Sequence, residues 1–249
     1  MIPIGDDNRD RTITPYVNYI LIGINILVFV LFQGMGSNLG FTYAFSTVPA
    51  EIVSGEDLVT ADQVIRDPAS GQQFVLPGLQ PTPISVYITL FTAMFMHGGW
   101  AHLGGNMLYL WIFGDNLEDR LGHRRYLLFY ILVGLLASLA HVFASVLLGD
   151  NLQIPSLGAS GAIAGVLGGY LVLFPHRKIR VLVMRMITQV NAIIAVGLWF
   201  VLQLVGGFGS VTGSSDGVAY AAHIGGFIAG LALIKLFAAG RQPAARAYF

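Results

Sequence analysis

Leu157-Gly158-Ala159-Ser160-Gly161-Ala162-Ile163-Ala164-Gly165-Val166-Leu167-Gly168-Gly169 is the stretch on which the reading of this chain turns. It is apolar except for Ser160, and glycine recurs at every fourth position from Gly161 to Gly169. In lipid, a stripe of small residues at that spacing lets a second helix backbone approach closely. A matching stripe exists near the other end of the chain, at Ala222, Gly226 and Gly230. The composition agrees with a membrane setting. Of 249 residues, 55% are hydrophobic and only 10% charged, where a soluble domain carries about a quarter charged. A net charge of zero gives no support to a nucleic-acid surface, and no nucleic-acid partner is expected. The absence of cysteine excludes disulfide frameworks, thiolate metal sites and cysteine nucleophiles.

Working outward, six segments supply the roughly 20 mostly apolar residues that a spanning helix needs. They are about Tyr16–Gln33, His102–Asp115 with its flanks, Tyr126–Leu148, Gly158–Phe174, Met186–Val205 and Val218–Phe237. Ile84–Met96 is also apolar and could be a short seventh span or an interfacial helix. The interruption at His97-Gly98-Gly99-Trp100 favours a loop element that re-enters the core. Of the 13 Lys and Arg, all but Arg66 fall before the first span, after the second, after the fourth or at the end of the sixth. The positive-inside rule then puts both termini in the cytoplasm. Residues 34–85 become a long, acidic outer loop, with the stretch around Leu58–Pro81 expected to be partly mobile. The first apolar run has no small-x-small cleavage site and reads as a retained span. The chain is thus expected to be one all-α polytopic membrane domain, a six-transmembrane-helix bundle with a long outer first loop. Residues 1–13 and 239–249 are read as short tails.

Polar side chains inside spans are costly and mark functional sites. His102 and Asn106 share one face at the start of the second span, Ser160 opens the fourth, and His223 lies just inside the outer end of the sixth. At about 1.5 Å per residue these sit at similar depth. If the two small-residue faces meet, Ser160 and His223 approach each other, and a serine becomes a nucleophile when a base lies within about 2.6–3.2 Å. Taken singly, each residue has an ordinary reading. A serine beside glycine usually packs and bonds back to the preceding turn, and a buried histidine is usually a strut. Their coincidence at one depth on one side carries the argument.

With these residues in view, the chain resembles the rhomboid family of intramembrane serine proteases. Gly158-Ala159-Ser160-Gly161 looks like the family's G-x-S-G nucleophile motif, Ala222-His223-Ile224-Gly225-Gly226 like its A-H-x-x-G motif, and His102-Leu103-Gly104-Gly105-Asn106 like its H-x-x-x-N motif. Glu118-Asp119-Arg120-Leu121-Gly122 is similar to the turn that closes the second helix. The resemblance implies that Ser160 attacks the scissile carbonyl while His223 takes its proton and returns it to the leaving amine. It places the oxyanion on the Asn106 amide, the Ser160 backbone N–H and the His102 ring, with Gly158 in the same set. It implies a dyad with no third carboxylate, so Asp216 reads as solvated loop charge. Glu118 and Arg120 would tie the turn to a neighbouring loop, and Trp199 and Phe200 would lie on the helix past which substrate enters. One departure stands out. Some members place a tyrosine four residues after the nucleophile, stacked on the histidine, and here that residue is Ala164. Another side chain, or backbone packing alone, has to orient His223.

The remaining histidines are given other places. His97 braces the site, His123 and His176 are solvated loop residues, and His141 makes a helix–helix bond. No H-E-x-x-H or similar ligand spacing is present, so neither metal nor organic cofactor is implied. Trp100 and Tyr109 suit interface anchoring, although Tyr109 could be core. The expected partners are the lipid bilayer and single-pass membrane proteins cleaved near their outer ends. Two other classes compete with this reading: a catalytically silent relative that binds membrane clients, and a small transporter. The expected location is a bacterial plasma membrane.

Overall fold

The structure, a computed structural model, describes residues 1–66, 71–149, 152–211 and 218–241. It is mostly helical, and the polar-inside, apolar-outside pattern expected in lipid is plain. On α6 (His123–Leu148), Leu128, Phe143 and Leu147 are exposed, as are Leu198, Leu202 and Val205 on α8 (Ala192–Val211). Asn18, Asn25, Gln33 and Glu118 are buried instead. Among the described residues, three helices are long and apolar enough to cross a membrane: α6, Ala192–Gly209 of α8, and α9 (Tyr220–Ala238). Shorter apolar helices cover Tyr16–Phe32, Val86–Phe95 and Ser160–Leu173. Such a surface belongs to an integral membrane protein.

The chain opens with β1 (Ile2–Asp6) and α1 (Tyr16–Leu27), which a π turn extends through Phe32. Two one-to-two-turn helices follow, α2 (Leu39–Ala44) and α3 (Pro49–Ser54), then the hairpin β2 (Gln63–Arg66)–β3 (Gln73–Leu76). A short helical segment with α4 (Thr89–Thr92) at its centre leads into α5 (Trp100–Leu121). Val86–Phe95 is ten residues long, about half of what a straight spanning helix needs. After α6 come α7 (Ser160–Leu173), the hairpin β4 (Lys178–Val183)–β5 (Met186–Asn191), α8 and α9.

Three expectations need correction. The fold is not all-α: β1, β4 and β5 form an antiparallel sheet in the order β1-β4-β5. Residues 1–13 are therefore no loose tail, since Ile2–Asp6 pairs with β4 through a register shift between Pro3 and Gly5. The helix expected from Met186 begins only at Ala192, and Met186–Asn191 is a strand. Pairing with β4 decides this, in a register that runs from Val183 opposite Met186 to Lys178 opposite Asn191. In Lys178-Ile179-Arg180-Val181, Ile179 and Val181 are buried while Lys178 and Arg180 are exposed, the alternation of a half-buried strand.

A carboxylate anchors α1. No side chain within α1 caps its first turn, and Glu118, fully buried near the end of α5, accepts hydrogen bonds from Val17 N–H (3.0 Å) and Asn18 N–H (2.7 Å). These are amides that a helix start leaves without partners, and the helix dipole favours negative charge there. Glu118 thus ties the end of α5 to the start of α1, where the sequence reading expected a loop. Glu118 Oε1 also lies 2.5 Å from His123 Nδ1, so His123 is paired rather than simply solvated. Asp119 holds Thr12 and Ile13 by their amides. Gly114 makes room for the buried pair beside it. A Cβ there would strike both the Asn18 amide oxygen and the Tyr126 hydroxyl, which hydrogen-bond at 2.7 Å.

The charged elements gather at one end of the bundle. Arg177 donates to the Asp7 carbonyl (2.7 Å) and to Asp10 (2.6 Å), contacts Asn116, and lies over the Phe174 ring. Tyr170 and Asn116 donate to Asp6, whose carboxyl is raised above the ordinary range chiefly by burial. Arg125 donates to the Phe237 and Ala239 carbonyls, the acceptors that the end of α9 leaves free. Arg120 donates to the Arg241 carbonyl. Since α7 runs from Ser160 to this end, Ser160 lies at the opposite one.

Candidate active site

Helices α7 and α9 pack backbone against backbone, on the faces that the glycine spacing marks. A Cβ at Gly226 would run into the Gly161 carbonyl, one at Gly230 into the Gly165 carbonyl, and one at Gly168 into the Phe227 carbonyl. On the third side, a Cβ at Gly161 would meet Ala137 of α6 at 2.8 Å. Only glycine permits this approach, and it decides the site. Ser160 stands at the first position of α7 and His223 one turn into α9. Their Oγ and Nε2 atoms lie 2.7 Å apart, a hydrogen bond in which the serine hydroxyl can donate to the ring.

Ser160 and His223 open on a cavity of about 870 Å³ that His102, Asn106, Tyr109 and Trp199 also line. The four residues read from the sequence as chemistry therefore share one space. Asn106 is 7% exposed, and its amide nitrogen has no hydrogen-bond partner among the described residues. A buried donor left unpaired is costly in a resting protein, and it suits a group whose acceptor arrives with the substrate. His102 Nδ1 accepts from Gly98 N–H (3.2 Å), so its proton sits on Nε2. That nitrogen points toward the start of α7, 2.8 Å from where a Gly158 Cβ would be. The Ser160 N–H belongs to the first turn of α7, where amides lack intrahelical acceptors and the helix dipole favours negative charge. His102, Asn106 and Ser160 thus bring three potential donors, His102 Nε2, Asn106 Nδ2 and Ser160 N–H, to the lining of one cavity.

Gly158 plays a different part from the donor role assigned to it. Its N–H donates to the Ala93 carbonyl (2.8 Å) and is engaged. Its φ of +123° lies where glycine is favoured, and a side chain would collide with His102. Gly158 shapes the turn into α7 and leaves His102 its space.

His97 is fully buried, with its ring edge-on to His102 at 5.1 Å. The sequence reading missed what holds His97. Gln33, buried at the end of α1, accepts from His97 N–H (2.9 Å) and donates to the His97 carbonyl (2.9 Å) and Thr42 Oγ1 (2.8 Å). It also missed Gln203 on α8, whose amide oxygen lies 2.7 Å from His223 Nδ1. The available signal was a single glutamine in an otherwise apolar helix. His141 lines the cavity as well. Phe200 stacks on Phe227 at 4.2 Å, Trp100 packs edge-on to Phe29, and His176 is exposed. Asp216 lies outside the described residues.

Comparison with known proteins places this geometry in context. Residues 85–240, more than half the chain, match the Rhomboid domain. The chain is 34% identical over 172 residues to Rhomboid protein 1, mitochondrial, of Saccharomyces cerevisiae, covering 64% of this chain and 44% of that protein. It is 37% identical over 143 residues to Rhomboid protease GluP of Bacillus subtilis, covering 57% and 24%. It is 33% identical over 89 residues to Putative rhomboid protease YdcA of the same organism, covering 36% and 42%. The chain spans less than half the length of these relatives.

Proposed function

This chain belongs to the rhomboid family, and from that premise we propose that it is an intramembrane serine endopeptidase working through a Ser160–His223 dyad. The observation that carries the proposal is the 2.7 Å contact between Ser160 Oγ and His223 Nε2 in the lining of a cavity that also holds the Asn106 amide, unpartnered among the described residues. His223 takes the Ser160 proton as Oγ attacks the scissile carbonyl, and the carbonyl oxygen becomes an oxyanion. Asn106 Nδ2, His102 Nε2 and Ser160 N–H stabilise that charge. The imidazolium then protonates the leaving amine, and water entering from the cavity releases the acyl group by the same route in reverse.

The proposed substrates are single-pass membrane proteins. A helical backbone hides its carbonyls in hydrogen bonds, so cleavage near the outer end, where small or helix-breaking residues occur, is favoured. A substrate with an unbroken leucine-rich helix cleaved equally well would contradict this. The assignment of six spans, with both termini on the cytoplasmic side of a bacterial plasma membrane, belongs to the same proposal. It draws support from the gathering of the basic loops at the end of the bundle away from Ser160.

The test uses purified protein in liposomes, a fluorogenic transmembrane peptide and a serine-directed fluorophosphonate. Turnover together with covalent labelling is the expected result. Folded protein that does neither over several substrates overturns the proposal in favour of a catalytically silent, client-binding relative. In the same assay, Asn106→Ala is expected to lower kcat by about 10²–10³-fold, the usual cost of one oxyanion donor, while Ser160 remains labelled. An unchanged kcat in Asn106→Ala would remove Asn106 from the oxyanion site.

A further inference from the structure

A histidine base works only if the right nitrogen is bare. Ser160 Oγ–H needs an acceptor at Nε2, so the ring must carry its proton on Nδ1 and must not turn over. Ala164, at the position where some relatives carry a tyrosine, is buried and too short to hold a ring. The structure supplies another holder. Gln203 Oε1 lies 2.7 Å from His223 Nδ1, and Ser160 Oγ lies 2.7 Å from Nε2 on the opposite edge of the ring. A carbonyl oxygen can only accept, so the bond requires the proton on Nδ1. Turning the ring over would break both bonds together. Trp199, one turn before Gln203 on α8, lies 6.1 Å from the imidazole between ring centroids, and Tyr220 lies 6.3 Å away, edge-on.

We propose that Gln203 is the positioning residue of the His223 base, fixing both its tautomer and its orientation from a different helix. The proposal rests on the dyad reading above and deepens it. A neutral amide suits the place. When the ring gains its second proton, the Gln203 carbonyl dipole still faces Nδ1–H. Between proton transfers no charge has to be held in the membrane, as a carboxylate there would require. The assignment also gives α8 a second role. The helix that walls the cavity with Trp199 holds the base with Gln203, so the dyad is complete only while α8 lies against α9.

Gln203→Met keeps length and volume but loses the acceptor, and Gln203→Glu keeps the acceptor. A hydrogen bond to a group that becomes charged, once lost, should cost about 10–100-fold. Gln203→Met should therefore lower kcat by that factor with KM unchanged and slow fluorophosphonate labelling equally, while Gln203→Glu, which keeps the acceptor at the cost of a buried charge, should fall less than Gln203→Met. The second measurement is independent of activity. In wild-type protein labelled with 15N at histidine, the resonances lost in His223→Asn should show the proton on Nδ1. Gln203→Met should give a mixture of tautomers. Wild-type rates in Gln203→Met, or a wild-type ring protonated on Nε2 alone, would overturn the role of Gln203. If the wild type itself neither labels nor cleaves, the peptidase reading fails, and the 15N spectrum still decides whether Gln203 sets the tautomer.

Discussion

Ser160→Ala and His223→Ala are each expected to lower cleavage of a transmembrane peptide by about 10⁴-fold or more, and the double variant is expected to fall no further. The reason is that the two side chains perform one act. Without His223 the hydroxyl at Oγ is a poor nucleophile, and without Ser160 the imidazole has nothing to activate that leads to an acyl-enzyme. Groups that act as a unit lose almost everything at the first removal. What survives is the contribution of binding and of the oxyanion donors, which neither substitution touches. Labelling separates the two variants. Ser160→Ala loses the site of fluorophosphonate attachment outright, whereas His223→Ala retains it and reacts slowly. The measurement is kcat in liposomes for the two single variants and the double, with folding checked by thermal denaturation. A His223→Ala protein that keeps a tenth of wild-type turnover would break the dyad reading, as would a double variant far below either single one.

Much of this site could be read in the sequence because membrane constraints make the signal sparse. A polar residue in a span must have a reason to be there, so Ser160, His102, Asn106 and His223 stand out against an apolar background. Their meeting followed from the spacing of Gly161, Gly165, Gly226 and Gly230, since contact between small-residue faces fixes which sides of two helices touch. What escaped was whatever depended on a partner outside the motif. Gln203 is one polar residue in an apolar helix, and nothing in its neighbours says that it faces His223. Gln33 closes a loop 64 residues away in sequence by bonding the backbone of His97, and backbone partners leave no residue-type signature. The engaged N–H of Gly158 was hidden for the same reason, because its acceptor is the Ala93 carbonyl. The β4–β5 hairpin was misread at Met186 because Met186–Asn191 carries no alternation of its own and is a strand through its pairing with β4. The strand at Ile2–Asp6 was missed because five residues carry too little pattern to stand out.

Gly226→Ala is expected to damage both stability and the dyad although it adds a single methyl away from the chemistry. Its Cβ would be driven into the Gly161 carbonyl oxygen, which is backbone and cannot turn aside. Overpacking of this kind costs about 1–3 kcal/mol, and the structure can relieve it only by moving α7 and α9 apart. Gly161 adjoins Ser160 and Gly226 is three residues from His223, so the helices would part at the dyad itself. A separation of 1 Å would stretch the 2.7 Å contact beyond hydrogen-bond range, and misplacement on that scale costs about 10²-fold in rate. A lower melting temperature and a roughly hundredfold loss of fluorophosphonate labelling should therefore appear together. Gly197→Ala is the matched control. It is a helical glycine with open space around its Cβ position, and alanine there should leave both readouts unchanged or raise stability slightly. If Gly226→Ala melts early yet labels at the wild-type rate, the close approach of α7 and α9 serves folding alone, and the dyad distance is set elsewhere. If both readouts fall while Gly197→Ala is silent, the glycine faces are what bring a serine on one helix within reach of a base on another.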